Sequence, residues 1–409
     1  MNPTGARTII VGAGHAGGRA AEALRKADPA REIILIGRES HPPYERPPLS
    51  KAVLAGTAAP HDSYLHPAGW YLENDIDLRL ATGVAVIDRG AQEVVLEDGS
   101  RVPYDMLLLT TGARARTLPV PGAAQAGVLY LRDIPEAEVL RGRLGPEITL
   151  VVIGAGFIGL EVAASARGLG TTVHVVELAP QPLGRVSDPA IGRWVGRLHE
   201  RNGVTLHLGR AVQAIEPDRR RHHVLLDDGT EIVADAIVAG IGAIPNTELA
   251  EAAGLVVRDG ILTDEHGRTD DPAIRAAGDC TRHFNPLLGR HIRLESWQNA
   301  QNQAIAVARC LAGLDHPYAE IPWFWSDQYD MNLQSLGIAE PGSPLVWRGD
   351  PAAGNFLAFN LEGGRIVAAT AVNRAREMAA VRRIMQRKVA VDAARLADPA
   401  TSLMALARG

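Results

Sequence analysis

Two stretches of the chain read Gly-x-Gly-x-x-Gly: Gly12-Ala13-Gly14-His15-Ala16-Gly17 and Gly154-Ala155-Gly156-Phe157-Ile158-Gly159, each directly after an apolar run. In such a turn the first glycine permits the reversal from strand to helix. The second lets backbone N–H groups approach a pyrophosphate, and the third lets the helix pack on the strand. The helix N-terminus then holds the negative charge. Two turns of this kind predict two bound dinucleotides.

Other residues are placed to serve them. Glu177 closes the apolar run Val173–Val176, where a carboxylate accepts hydrogen bonds from ribose hydroxyls. Leu178-Ala179-Pro180-Gln181 follows with no cation to hold a 2′-phosphate, which favours NAD over NADP. Arg185 lies close enough in sequence to meet the adenosine half. In the first module the corresponding run is Ile33–Ile36, then Gly37-Arg38-Glu39; Arg38 is read in the usual place of the acid and Glu39 one residue later. Pro42-Pro43-Tyr44-Glu45-Arg46-Pro47-Pro48-Leu49-Ser50-Lys51 is a loop stiffened by prolines that delivers a cation as a helix begins. A rigidly placed Lys51 could stand beside a flavin and stabilise negative charge on the reduced ring. Gly278-Asp279 suits a carboxylate accepting from a polyol such as a ribityl chain. Trp297, Trp323 and Trp325 are half of the 6 tryptophans, in a chain only 4% aromatic; one of them is expected against an isoalloxazine.

The elements that position these groups come as a repeat. After the first glycine-rich turn, Glu97-Asp98-Gly99 precedes the run Met106–Leu109 and Gly112; after the second, Asp227-Asp228-Gly229 precedes Ala236–Ala239 and Gly242, at the same interval. Each module reads as β-α-β, an Asp-Gly hairpin, and a strand whose terminal glycine lets the backbone pass close to a cofactor. The expected fold is α/β: two Rossmann-like dinucleotide-binding domains, as in glutathione-reductase-like two-dinucleotide flavoproteins, plus a C-terminal α+β domain. The expected boundaries are 1–113 with 244–320 for a discontinuous FAD-binding domain, 114–243 for an NAD-binding domain, and 321–409 for the last.

At 409 residues the length allows two to three domains. A net charge of −5 with an isoelectric point near 6.2 gives no footprint for nucleic acid. The apolar runs are too short for a bilayer span, and the first strand starts too near Met1 for a signal segment, so a cytosolic protein is expected. Cys280 and Cys310 are the 2 cysteines, and their spacing matches no redox or metal motif. Arg219-Arg220-Arg221-His222-His223 reads as a solvated loop tip, and no metal site is expected.

Taken with Pro47-Pro48-Leu49-Ser50-Lys51, Thr111-Gly112-Ala113-Arg114, Tyr130-Leu131-Arg132, Gly154 to Glu161, Gly278-Asp279-Cys280 and Trp323-Phe324-Trp325-Ser326-Asp327-Gln328, the chain resembles the FAD-dependent ferredoxin–NAD(+) reductases of bacterial oxygenase systems. The resemblance covers essentially the whole chain. It implies FAD contacts at Ala16, Lys51, Val84, Arg132, Asp279 and Trp297, with Trp325 near the cofactors. It implies NADH contacts at Gly156 to Gly159, including Phe157 and Ile158, and at Glu161, Glu177 and Gly242. Lys51 and Glu161 would pair near the flavin N5, where NADH delivers a hydride, and single electrons would pass to a [2Fe–2S] ferredoxin serving a ring-hydroxylating dioxygenase or a cytochrome P450. Two alternatives share the scaffold. A flavin disulfide reductase or thiol-dependent NADH oxidase would need a reactive cysteine, for which Cys280 is the one candidate. A flavin-binding interaction protein similar to apoptosis-inducing factor would need only the cofactor. Oligomeric state is open.

Overall fold

The computed structural model describes residues 6–218, 221–340 and 342–408. Arg219 and Arg220 lie outside the described residues. The chain divides into two compact units. One comprises residues up to Arg46, His61–Arg114 and Ile244–Pro322; the other comprises Pro47–Pro60, Ala115–Ala243 and Trp323 onward.

The first unit is built on a parallel sheet in the order Ile274–Ala276, Met106–Leu109, Arg7–Val11, Glu32–Ile36, Ile76–Arg79. Its central strands are near-continuous runs of Ile, Val and Leu because both faces are covered: helices lie on one, and on the other Ile9, Val11, Ile34 and Ile36 pack against Val84, Ile87, Val94, Leu96 and Val102 of a three-stranded antiparallel sheet. On one face the helices His15–Ala27 and Trp297–Leu311 pack through Ala16, Ala20, Ala21, Ala304 and Ala308 with Leu24, Val307 and Leu311. Small side chains let the two helices approach closely.

The second unit repeats the plan. Val204–Leu208, Thr172–Glu177, Thr149–Ile153 and Ala236–Ala239 form its parallel sheet. Both Asp-Gly hairpins come back in antiparallel form, Glu93–Leu96 with Arg101–Pro103 and His222–Leu226 with Glu231–Ala234; the strands Val84–Asp88 and Val212–Pro217 pair onto them antiparallel, each with a register shift near its start. Gly99 (φ 86°) and Gly229 (φ 85°) turn the following strands in the left-handed region. The antiparallel C-terminal sheet, in the order Trp323–Gln328, Met331–Gly337, Arg365–Val372, Asn355–Glu362, Leu345–Asp350, belongs to this unit. Its Met331, Leu333, Phe356, Ala358 and Val372 share a core with Leu150, Val152, Leu160 and Val195.

The glycine-rich turns show why the third glycine is required. A Cβ on Gly17 would lie 1.9 Å from the Gly12 carbonyl oxygen, and one on Gly159 would lie 2.1 Å from that of Gly154. Gly159→Ala is therefore expected to push the helix Phe157–Gly168 off its strand and cost roughly 1–3 kcal/mol, the range of overpacked core sites. Urea unfolding checks this, and an unchanged midpoint would contradict the packing described.

Each unit also buries a neutral histidine. Burial holds both His199 and His283 at about 4, below the ordinary 6.5. An unfolded imidazole takes up a proton near 6.5 and a folded one resists, so the stability these groups contribute is complete above pH 6.5 and is lost as pH falls toward 4. The urea midpoint is expected to drop across that window, and to drop less in His283→Asn. A midpoint flat from pH 6.5 to 4 would rule the account out.

Candidate functional site

The two helix N-termini predicted to hold diphosphates are open. Gly14 and Gly156 cap the helices His15–Ala27 and Phe157–Gly168 in extended conformation with no side-chain cap and no acidic residue in the first turn. The first backbone N–H groups of such helices have no intrahelical partner and favour an anion. A Cβ on Gly14 would meet Arg46 and one on Gly156 the Gly240 carbonyl oxygen, each at 3.9 Å, so the second glycines are not crowded by the fold itself. Gly12 and Gly154 are different: a Cβ there would lie 2.2 Å from the Thr110 oxygen and 2.6 Å from that of Gly240. These glycines serve the turn itself, and the chain's own groups fit a dinucleotide at each helix.

Around the first turn, Ala16 lies against Gly278: a Cβ there would be 3.1 Å from the methyl of Ala16. This brings Asp279, itself buried, to the start of the helix. Trp297 begins the helix Trp297–Leu311, and its ring lies 5.4 Å from that of His15. Asp279 and Glu39 both act on Arg46, whose guanidinium donates to Glu39 at 2.8 Å and is held above its ordinary pKa, burial opposed chiefly by Tyr44 and then Glu39. Glu39 also accepts from the Tyr44 hydroxyl. Arg38 points elsewhere, to an exposed ion pair with Glu97 at 2.7 Å. Val84 spends its side chain in the core beside Ile87 and Leu96.

The hydrogen-bond register corrects one expectation. Gly12 N–H donates to the Ile36 carbonyl and Gly154 N–H to that of Val176, both at 2.8 Å, so the residue equivalent to Glu177 is Gly37. Arg38 comes one position later and Glu39 two. A side chain at residue 37 would collide with Ala13, whose Cβ lies 2.4 Å from where its own would be. The first module therefore has no room for an acid at that point.

Around the second turn, Glu177 accepts from the N–H groups of Ala155 at 2.6 Å and Ala179 at 2.8 Å. Two bonds use half of a carboxylate's acceptor sites and leave the rest for ribose hydroxyls. Arg185 is exposed, with a guanidinium nitrogen 3.3 Å from where a Cβ on Gly242 would be. The Phe157 ring lies on that of Phe324, centroids 3.9 Å apart, while Ile158 next to it faces solvent. Arg132 precedes the helix Ile134–Arg141, with its N–H donating to Glu136 at 2.7 Å.

The most concentrated chemistry in the second unit is the Lys51–Glu161 ion pair, Nζ to Oε1 at 2.9 Å. Glu161, on the helix Phe157–Gly168, is 2% exposed. Its Oε1 also accepts from Ser326 Oγ at 2.6 Å, and Oε2 accepts from Ser50 Oγ. Lys51 reaches it because Pro47–Ser50 forms a single tight turn and the Ser50 carbonyl is held by Ser165 Oγ at 2.7 Å. On the strand Trp323–Gln328 alternate residues divide the work. Trp323 and Trp325 stack at 5.1 Å with the Lys51 ammonium 5.9 Å from the Trp325 ring, while Ser326 and Gln328 face inward. Ser50, Ser326, Gln328 and His199 did not emerge from the sequence reading as site residues; the motif Trp323–Gln328 held two of them, and His199 gave no signal.

Both thiols are buried. Cys280 is fully buried in the first unit's core, its Sγ donating to the Ala277 carbonyl at 3.4 Å, and burial pushes the thiol above its ordinary pKa. Cys310 is raised for the same reason. A redox thiol needs the opposite, an accessible and acidified site.

Comparison with known proteins completes the description. The pyridine nucleotide-disulphide oxidoreductase model matches residues 6–304, and the reductase C-terminal model matches residues 323–407. The chain is 47% identical over 396 residues, 97% of its length and 98% of the relative's, to the anthranilate 1,2-dioxygenase system ferredoxin–NAD(+) reductase component of Burkholderia cepacia. The solved structure of the ferredoxin reductase for the CYP199A2 system from Rhodopseudomonas palustris matches it with a TM-score of 0.94 at 41% identity, covering 98% of this chain and 99% of that one. The structure of the covalent putidaredoxin reductase–putidaredoxin complex matches with a TM-score of 0.94 at 39% identity and covers 98% of both chains. The chain belongs to the pyridine nucleotide-disulphide oxidoreductases, among the ferredoxin–NAD(+) reductases of oxygenase systems.

Proposed function

We propose that this chain takes a hydride from NADH and passes single electrons to a [2Fe–2S] ferredoxin that feeds an oxygenase acting on an aromatic substrate. The observation that carries the reading is the combination of two uncapped, glycine-lined helix N-termini with thiols that are buried and held protonated. Electrons entering such a protein have no disulfide to go to, so they leave to an outside acceptor. The relative named for an anthranilate dioxygenase system and the complex with a ferredoxin support the class of acceptor.

FAD, when bound, supplies the conversion of one two-electron step into two one-electron steps. The turn formed by Gly12, Gly14 and Gly17 presents the helix His15–Ala27 to its diphosphate, and Asp279 accepts from its ribityl hydroxyls. Ala16, Arg132 and Trp297 line it, Val84, whose side chain is in the core, meets it through the backbone alone, and Glu39 with Arg46 serves its adenosine half. Gly154, Gly156 and Gly159 hold the diphosphate of NADH, with Phe157, Ile158 and Gly242 beside it and Glu177 on its ribose. Lys51, backed by Glu161 and flanked by Trp325, keeps a positive charge against the flavin ring and favours its reduced, anionic form. On this reading residues 1–113 and 244–320 carry FAD, 114–243 carry NADH, and 321–409 form the C-terminal domain. No helix among the described residues is long and apolar enough to cross a membrane. A cytosolic location goes with the reading, since NADH is an internal metabolite.

Anaerobic titration of the FAD-loaded protein tests it. The flavin bands are expected to bleach with NADH far more readily than with NADPH, and cytochrome c is expected to be reduced only when a [2Fe–2S] ferredoxin is added. In Glu177→Ala the preference for NADH is expected to narrow by roughly tenfold, the worth of one charged hydrogen bond of about 1.5 kcal/mol. Failure to bleach, or turnover that needs a disulfide and stops on alkylation of Cys280, would overturn it.

A further inference from the structure

Within the second unit Glu161 is the end of a longer hydrogen-bond chain that starts at the half-buried Tyr329 and is otherwise buried. The Tyr329 hydroxyl meets His199 Nδ1 at 3.2 Å, and His199 Nε2 meets Gln328 Oε1 at 2.8 Å. Gln328 Nε2 donates to Ser326 Oγ at 2.9 Å, and Ser326 Oγ donates to Glu161 Oε1 at 2.6 Å. His199 and Ser326 are 0% exposed and Gln328 is 2%.

One assignment of protons satisfies every link. Lys51 occupies Glu161 as a cation, so Glu161 is the terminal acceptor and Ser326 must donate to it. Ser326 Oγ then accepts from the amide of Gln328, which leaves Gln328 Oε1 to accept from His199. His199 is therefore neutral with its proton on Nε2, and Nδ1 accepts from Tyr329. Burial, which holds His199 at about 4, agrees with the neutral ring. All four donors point the same way, toward the carboxylate, and in a dry interior each polarises the next. The amide of Gln328 makes the chain a poor proton path, because an amide passes a proton only through its imidic tautomer. Its use is to orient.

We propose that His199 is a positioning residue for electron transfer: through Gln328 and Ser326 it draws off part of the negative charge of Glu161, so that the Lys51 ammonium is held in place without being fully neutralised. The inference rests on the reading that Lys51 faces the flavin. If the chain is cut, more of the carboxylate's charge falls on the oxygen shared with Lys51, the field on the ring becomes less positive, and reduced flavin is less favoured. His199 is more than a hundred residues from Gln328 in sequence and lies on the helix Pro189–Arg201, whose other buried residues serve the core.

Dye-coupled reductive titration of the FAD-loaded protein measures this as a potential. Ser326→Ala and His199→Leu are each expected to shift the equilibrium toward oxidised flavin by about threefold to tenfold, where tenfold is about 30 mV for a two-electron couple. His199→Gln, which keeps an N–H donor in reach of Gln328, is expected to recover most of the shift. Because the links act in series, the double variant Ser326→Ala/His199→Leu is expected to match Ser326→Ala alone. Should His199→Leu fail to fold, Gln328→Met cuts the same chain with side-chain length kept. If Lys51→Gln moves the potential while His199→Leu and Gln328→Met do not, or if the double variant is additive, the inference is overturned alone. If Lys51→Gln leaves the potential unchanged, the placing of Lys51 against the flavin falls, and the inference falls with it.

Discussion

A carboxylate that is 2% exposed must be compensated, and the second unit is organised around compensating Glu161. Stranding such a charge without partners costs several kcal/mol. Lys51 supplies the counter-charge, and Ser50 and Ser326 supply hydroxyl donors. Meeting that requirement fixes three pieces of chain that are remote in sequence: the tight turn Pro47–Ser50, the first turns of the helix Phe157–Gly168, and the strand Trp323–Gln328. An apolar set of the same volume would serve stability at least as well. Keeping an ion pair there instead points to chemistry in which a fixed positive charge is useful, and a flavin gaining negative charge is such a case.

The two modules show how one architecture is adapted to two tasks. Both reverse the chain through a glycine with no room for a side chain, and both leave a bare helix N-terminus. They part at the end of the next strand. In the second module Glu177 stands there and ties itself to the loop through Ala155. In the first, Gly37 stands there because Ala13 fills the space, and the nearby acid, Glu39, is engaged by Arg46 and Tyr44.

What could be read from the sequence follows from how local each cause is. The glycine-rich turns, the Asp-Gly hairpins and the proline-stiffened loop ending in Lys51 are set by residues a few positions apart, so type and spacing reveal them. The equivalence of Gly37 and Glu177 is set by strand register, and the loop between helix and strand differs in length between the modules; counting along the chain misplaces it. The Tyr329–His199–Gln328–Ser326 chain is a tertiary arrangement. Its members alternate with tryptophans on one strand and come from a helix more than a hundred residues earlier, so no local pattern marks them. The pairing of Lys51 with Glu161 was implied by resemblance rather than by spacing, and the geometry places the two atoms 2.9 Å apart.

On this reading the Lys51–Glu161 pair acts on the flavin. A crystal structure of the protein with FAD bound and NAD(+) soaked in tests it most directly. The Lys51 ammonium is expected within hydrogen-bonding reach of the isoalloxazine, with Glu161 still paired to it and NAD(+) seated over the turn Gly154–Gly159. A flavin ring lying away from Lys51, or FAD seated at the Gly154 turn, would contradict it.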